Sequence, residues 1–206
     1  CSSDLIVSDE VYADFVFPGN RFISLPSISG EVPVVQIAGA MKQYCLPGWN
    51  ISWIVFYDRV GAFKKFIPAF QNVMQLMLHP APYLQFTIPD MLERANKNKL
   101  PNLMVKIKEN HDLICSTLES KLGKFFEVCK AQGGESLIAM LKLEAFKDIT
   151  SEEDFAKKFF VEENVLVLPT TAFHLKGGIC ILTSHTESVT KDSLERLVSF
   201  CKAHEK

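Results

Sequence analysis

Leu5-Ile6-Val7-Ser8-Asp9-Glu10-Val11-Tyr12 opens on three aliphatic residues and turns abruptly acidic. An uninterrupted apolar run of this kind predicts a short, fully buried strand of a parallel sheet that delivers polar groups at its C-terminal edge. Ligands of open α/β sheets bind at such edges. A looped region marked by Pro18-Gly19-Asn20, Pro26 and Gly30 follows. Val32-Pro33-Val34-Val35-Gln36-Ile37-Ala38-Gly39 then predicts a second buried strand, running out through Ala40-Met41-Lys42. After the turn at Pro47-Gly48, Ile51-Ser52-Trp53-Ile54-Val55-Phe56-Tyr57 reads as a third strand, rich in β-branched and aromatic residues. The expected fold class is α/β.

Further along, Phe63, Phe66, Ile67, Phe70, Met74 and Met77 recur at spacings of three and four, which predicts a helix over 62–78 with a kink or restart at Pro68. His79-Pro80-Ala81-Pro82 closes it, and a second helical segment ends before Pro101. A third helix is expected over 102–122, with Met104, Ile107, His111, Ile114 and Leu118 on one face and Gly123 as its stop. His111 on that apolar stripe reads as a satisfied core or boundary residue. The tail changes character. Strands are expected at 125–129, 136–143, 165–168 and 179–183, with turns at Gly133-Gly134 and Gly177-Gly178 and helices at 151–162 and 191–204, a compact α+β unit. Ser151-Glu152-Glu153-Asp154 resembles a capping box, and Glu153/Lys157 and Asp154/Lys158 are spaced to pair on a solvated face.

Composition narrows the function classes. Lysine and arginine number 22 against 24 aspartate and glutamate, a formal charge of −2, in a chain of 206 residues that is 48% hydrophobic. A near-neutral balance gives no general attraction for a phosphate backbone or an anionic membrane, so neither nucleic acid nor membrane is expected as a partner. No stretch reaches the roughly 18 apolar residues of a membrane span, and the N-terminus is no targeting segment; a soluble, cytoplasmic protein is the expectation. The six cysteines, at positions 1, 45, 115, 129, 180 and 201, have no zinc spacing, and the histidines share no ligand spacing, so no metal is expected. Most of the cysteines, Cys45 among them, are expected as small buried fillers. The chain lacks a starting Met and enters a strand at once, which suggests a fragment.

Lys42 is the residue that draws attention to chemistry, because a lysine in a tight segment after a buried strand can be desolvated and form a Schiff base with a carbonyl. Taken alone it reads as a surface lysine snorkelling beside a loop. Asp9 alone reads as a strand-end acid capping a loop, and Tyr12 as an amphipathic core residue with its hydroxyl at the rim.

Together, Val7-Ser8-Asp9-Glu10-Val11-Tyr12, Ala38-Gly39-Ala40-Met41-Lys42 and Pro47-Gly48-Trp49 resemble the core of fold-type I PLP-dependent aminotransferases, closest to the tyrosine aminotransferase branch with its cystine-lyase relatives. Asn164-Val165-Leu166-Val167-Leu168-Pro169 and Leu175-Lys176 match that family's small domain. The resemblance implies part of the large PLP domain over 1–60, a helical connector over 61–122 and a small α+β domain over 123–206. It implies pyridoxal 5′-phosphate as cofactor, amino acids and 2-oxo acids as substrates, and a homodimer. Lys42 would carry the cofactor and move the proton between substrate Cα and cofactor C4′. Asp9 would pair with the pyridinium nitrogen, and Tyr12 would donate to the phenolate oxygen.

Two positions depart from the family. Asn50 stands where an arginine grips the cofactor phosphate, and Cys180 where an arginine binds the substrate carboxylate, with Lys176 as a nearby cation. Family members also carry most of the large domain ahead of the Asp-Glu-Val-Tyr strand. The implied activity is transfer of an amino group from an aromatic or neutral amino acid to a 2-oxo acid. The same resemblance leaves open a catalytically dead relative acting as a dimerising or regulatory partner, and a PLP-dependent C–S (β) lyase.

Overall fold

The computed structural model describes residues 5–76, 80–97 and 101–206. Cys1, Met77, Leu78 and His79 lie outside them. The chain divides into two compact units, one of residues 1–16 and 21–101 and the other of 17–20 and 102–206.

In the first unit β1 (Ile6–Asp9), β2 (Val34–Gly39) and β3 (Ser52–Tyr57) form a sheet in the order β1-β2-β3. β1 runs parallel to β2 with Asp9 beside Ile37, and β3 runs antiparallel to β2 with Gly39 opposite Ser52. β2 is the central strand, and its Val34 and Val35 are buried. β1 is an edge strand and departs from the fully buried reading: its residues alternate, and Val7 is 62% exposed. A period-2 strand at a sheet edge covers one face only, whatever its composition.

α1 (Ala40–Gln43) follows β2 directly, and a one-turn 3-10 helix, Pro47–Trp49, precedes β3. The predicted helix over 62–78 begins only at Ile67, as α2 (Ile67–Leu76). Ahead of it the Asp58 carboxylate accepts from the amides of Ala62 and Phe63, each at 2.8 Å, holding residues 60–63 in a turn. Pro68 therefore sits in the first helical turn, where its missing N–H costs nothing. Phe63 and Phe70 pack against Phe56 of β3, but Phe66, Val73 and Met74 are exposed. α3 (Pro82–Lys97) follows.

The second unit opens with α4 (Pro101–Lys121), whose Ile107, His111, Ile114 and Leu118 are buried as the periodicity predicts. The unit boundary falls inside the stretch expected as a helical connector, because this face of α4 belongs to the second unit's core while α2 and α3 belong to the first unit. β4 (Phe126–Cys129), β5 (Ser136–Leu141), β7 (Gly178–Leu182) and β6 (Leu168–Pro169) make a sheet in that order, with antiparallel neighbours. The expected strand over 165–168 is reduced to the pair Leu168–Pro169. Asn164, just past the helix over Glu152–Glu163, takes the left-handed conformation, and the chain stays outside the ladder until Leu168 meets Cys180. α5 (Glu152–Glu163) and α6 (Glu187–Ala203) complete the unit. α6 starts four residues earlier than expected, with Thr186 at its N-cap.

The core of the second unit is built on Phe155, whose ring meets Phe126, Phe146, Phe159 and Phe200 at 5.3–5.8 Å between centroids. Among the described residues only Cys115 and Cys201 behave as buried fillers. Cys45 and Cys129 are exposed and Cys180 is half-buried, because turn and strand-face positions override the average preference of the thiol. Ser151 caps α5, accepting from the Asp154 amide at 3.1 Å. The solvated-face reading holds for Asp154, which pairs with Lys158 at 3.3 Å, and fails for Glu152, which is buried and accepts from the Gly177 amide at 2.7 Å. Among the described residues no helix is long and apolar enough to cross a membrane.

At the end of α6 the nearly buried His204 ring lies between two carboxylates, Nδ1 at 2.8 Å from Asp148 and Nε2 at 2.9 Å from Glu162. Burial lowers the imidazole pKa, but hydrogen bonding to Asp148 and Glu162 outweighs it and raises the pKa above its ordinary value. Donation from His204 in turn holds the Asp148 carboxyl low. The imidazolium can donate to both carboxylates at once and the neutral ring to one only. The His204 contribution to stability is thus complete below its unfolded-state pKa and is lost as pH rises through the higher folded-state value. The Asp148 contribution is lost as pH falls through its depressed value. The thermal midpoint of His204→Gln is expected to trail the parent chain by on the order of a few °C at about pH 6, and the gap to shrink by about pH 9. An equal gap at both pH values rejects the charged clamp.

Candidate functional site

Parallel strands leave a sheet at the same edge, and here that edge collects the residues singled out from sequence. The Glu10 amide donates to the Ile37 carbonyl at 2.8 Å, fixing the end of β1 two residues before the end of β2. Gly39 brings β2 against the start of β3; a Cβ there would lie 3.0 Å from the Ile51 carbonyl oxygen and 3.2 Å from the Ser52 Cβ. The next amide, that of the fully buried Ala40, donates to that same Ile51 oxygen at 2.9 Å. α1 therefore starts from a fixed point, and Lys42 is its third residue.

Asp9 is the exposed last residue of β1, and its Oδ1 accepts from the Val11 amide at 3.2 Å in a side-chain turn. Tyr12 follows in that turn, its ring edge-on to Phe15 with centroids 5.4 Å apart. The Lys42 Nζ stands 5.1 Å from the centroid of the Tyr12 ring, a cation–π contact between the turn after β1 and the helix after β2. Tyr44, at the end of α1, has its phenol pKa pushed up by burial and by the neighbouring Asp14 carboxylate, a second link between the same two segments. A carboxylate, a phenol and a primary amine thus converge on one sheet edge.

Asn50 caps the Pro47–Trp49 turn with φ 55° and ψ 37°, and its amide donates to the Pro47 carbonyl. This left-handed conformation is one asparagine takes at little cost. Asn50 is exposed, one residue before the Ile51 carbonyl that anchors α1. Cys45, also left-handed with φ 56°, is exposed, where burial was expected.

Glu10 was read in the sequence only as part of the acidic strand end. It is 5% exposed, and its carboxylate accepts four hydrogen bonds: Gln36 Nε2 at 2.6 Å, Ser24 Oγ at 2.7 Å, the Leu25 amide at 2.9 Å and Ser8 Oγ at 3.0 Å. Gln36 also receives the Tyr57 hydroxyl at 3.2 Å, so the network runs from β1 through β2 to β3. Burial acts to raise the Glu10 carboxyl pKa, and the bonds from Gln36, Ser24, Leu25 and Ser8 together bring it below the ordinary glutamate value. The available signal was alternation: with Asp9 facing outward, Glu10 had to face inward, and a buried carboxylate needs donors.

The second unit holds the other two sequence candidates. Cys180 lies in the middle of β7 between Ile138 and Leu168, and lines a cavity of about 760 Å³ with Val167, Leu182, His185 and Arg196. Lys176 is exposed on the loop joining the Thr170–Phe173 turn to β7. That loop is braced. Thr170 Oγ1 donates to the Gly178 carbonyl and accepts from the Gly178 amide, both at 3.0 Å, and Glu152 holds Gly177, whose φ of +88° suits glycine. His111 behaves as the satisfied boundary residue expected, accepting from the Ala131 amide at 3.2 Å and packing on Phe17.

Comparison with known proteins gives this arrangement its context. The family model described as aminotransferase class I and II matches residues 4–197. S-alkyl-thiohydroximate lyase SUR1 of Arabidopsis thaliana is 33% identical over 206 residues, covering 98% of this chain and 44% of that protein. Tyrosine aminotransferase of Dictyostelium discoideum is 26% identical over 207 residues, covering 98% and 49%. The crystal structure of tyrosine aminotransferase from Leishmania infantum, 24% identical, shares the fold at a TM-score of 0.91 over 97% of this chain and 49% of that one. The chain spans just under half the length of these relatives. Aminotransferases of this class generally use pyridoxal phosphate, and those of fold type I are generally dimers acting on amino acids and 2-oxo acids. With its mixed α/β architecture of a partial large domain and the family match along nearly its whole length, this chain belongs to the class I and II aminotransferases of fold type I.

Proposed function

We propose that this chain serves a pyridoxal-phosphate-dependent transamination, moving an amino group from an aromatic or neutral amino acid to a 2-oxo acid. The observation that carries the reading is the convergence of Asp9, Tyr12 and Lys42 at the shared exit of β1 and β2. The donor set fits the ring half of the cofactor: an amine for its aldehyde, a carboxylate for its ring nitrogen and a phenol for its phenolate oxygen. When bound, pyridoxal phosphate supplies a protonated ring that withdraws electrons from the substrate Cα. Lys42 binds it through Nζ and, once released, takes the proton from Cα and returns it at C4′. Asp9 keeps the ring nitrogen protonated, and Tyr12 donates to the oxygen beside the reacting carbon. At the phosphate Asn50 offers neutral hydrogen bonds only. A homodimer, the general state of the fold type, belongs to the same proposal.

A second reading, a C–S lyase, is favoured by the 33% identity to SUR1, which carries lyase in its name. The two share every residue discussed so far and differ in whether a β-substituent leaves. Cys180 belongs to this question, since a thiol cannot make the paired, charged contact with a substrate carboxylate that an arginine makes.

An absorbance scan between about 300 and 500 nm with added pyridoxal phosphate, followed by borohydride, tests the cofactor reading. A band absent from Lys42→Ala, with the cofactor covalently trapped on Lys42 in the parent chain, is the expected result; no band identifies a catalytically dead relative. With the loaded protein, transamination predicts an aromatic 2-oxo acid from tyrosine, whereas pyruvate and thiol released from cystine establish the lyase. Asn50→Arg should tighten pyridoxal phosphate by about tenfold through a charge-assisted bond, measured by titration of the same band; unchanged affinity removes position 50 from the phosphate site.

A further inference from the structure

We propose that Glu10 is a positioning residue for the cofactor site: through Gln36, Ser24 and Leu25 it holds Asp9 and Tyr12 in register with the strand that delivers Lys42. This inference rests on the pyridoxal phosphate reading above and adds to it a residue that does not touch the cofactor.

The geometry is specific. Asp9 and Glu10 are consecutive, so their side chains leave opposite faces of the chain, Asp9 outward and Glu10 inward. Apart from Ser8 in its own strand, the groups that donate to the Glu10 carboxylate come from elsewhere in the first unit. Gln36 lies on β2, six residues before Lys42, and pairs with Ser8 in the strand register. Ser24 and Leu25 begin the 3-10 turn Leu25–Ser27 in the long connection between β1 and β2. Both Glu10 oxygens are used, Oε2 by Gln36 and Ser24, Oε1 by Leu25 and Ser8. The main chain at the same residue is tied down as well, its amide to Ile37 and its carbonyl to the amide of Ala13, one residue past Tyr12.

Among the described residues β1 is an edge strand of four residues, paired with β2 alone. Backbone ladder bonds leave such a strand free to tilt or fray at its last residue, which is Asp9. The Glu10 carboxylate removes that freedom by crossing to β2 beyond the ladder and to the connection that closes over it. Gln36 accepts the Tyr57 hydroxyl and donates to Glu10, so β3 braces the same point. An ionised carboxylate buried with four donors is costly to disturb, because any lost partner leaves charge or donor groups unsatisfied in a water-poor site.

Three variants of the full chain test the proposal: Glu10→Gln, Ser24→Ala and Asp9→Asn. Pyridoxal phosphate affinity and the pH midpoint of the loaded protein's absorbance band are read for each, at a temperature where circular dichroism shows it folded. Glu10→Gln is expected to weaken the cofactor by about tenfold and to move the pH midpoint in the same direction as Asp9→Asn. Ser24→Ala, which removes one donor of four, should do both to a smaller extent and decides the matter if Glu10→Gln does not fold. Parental affinity and midpoint in the folded variants, even with lowered melting temperatures, overturn the proposal and leave the network a structural brace. A parent chain without a Lys42-dependent band instead fails the cofactor reading itself, and the positioning role falls with it.

Discussion

In the parallel pair β1–β2, the register of Asp9 beside Ile37 decides where every candidate group of the first unit stands. Parallel pairing sends both chains out of the sheet at one edge, so a carboxylate at the end of one strand and an amine just past the end of the other stand at the same edge without a folded loop to bring them there. Slipping β1 by one residue would turn Asp9 inward and Glu10 outward, exchanging a solvent-facing acid for the one that binds Gln36, Ser24 and Leu25. The buried network and the exposed site therefore specify the same register from opposite faces. Gly39 adds the remaining constraint, since its lack of a side chain lets the start of α1 bond directly to the Ile51 carbonyl.

Much of this was legible in the sequence because it is local. The aliphatic runs around Ile6, Val34 and Val55 name strands wherever they are placed, and the three-and-four spacing of Ile107, His111, Ile114 and Leu118 names a buried helix face. Asp9, Tyr12 and Lys42 became site candidates through the family resemblance, and the structure puts all three at one sheet edge. What was lost depends on neighbours distant in sequence. The run at Ile6 and Val7 promised burial on both faces, yet an edge strand buries only one. The apolar residues at 165–168 promised a full strand, yet β7 pairs with Leu168–Pro169 alone. Glu152 and Glu153 look alike at the start of a helix; one is buried on the Gly177 amide and the other accepts from the Thr171 hydroxyl at 2.5 Å. Glu10 is the clearest case, because its partners lie 14, 15 and 26 residues away and nothing in their spacing announces them.

The two departures from the family act on different parts of the chemistry. Under the proposed reading, Asn50 would bear on cofactor retention, where a neutral amide can still donate but contributes no charge to a phosphate dianion. Its left-handed backbone suits asparagine locally. Cys180, under the same proposal, would bear on substrate selection. It is a half-buried thiol within a β-ladder, flanked by Ile138 and Leu168, in surroundings that favour apolar contact over a carboxylate.

The units reach rigidity by different means, and this explains why a polar network matters so much in the first. In the second unit, edge-to-face phenylalanines around Phe155 fix the sheet against α5 and α6, and the core tolerates little displacement because close-packed rings have little free volume to move into. In the first unit, large apolar side chains at Val7, Ile54, Phe66 and Leu76 are exposed, and the buried apolar set is short. Packing alone therefore holds β1 weakly. Hydrogen bonds of defined length and direction supply what packing does not: a carboxylate with four donors fixes position to a few tenths of an ångström, whereas apolar contact is non-directional. A site that, as proposed, aligns an amine, a phenol and a carboxylate would need that directional precision most where the strand leading into two of the three is short, and Glu10 lies at that place.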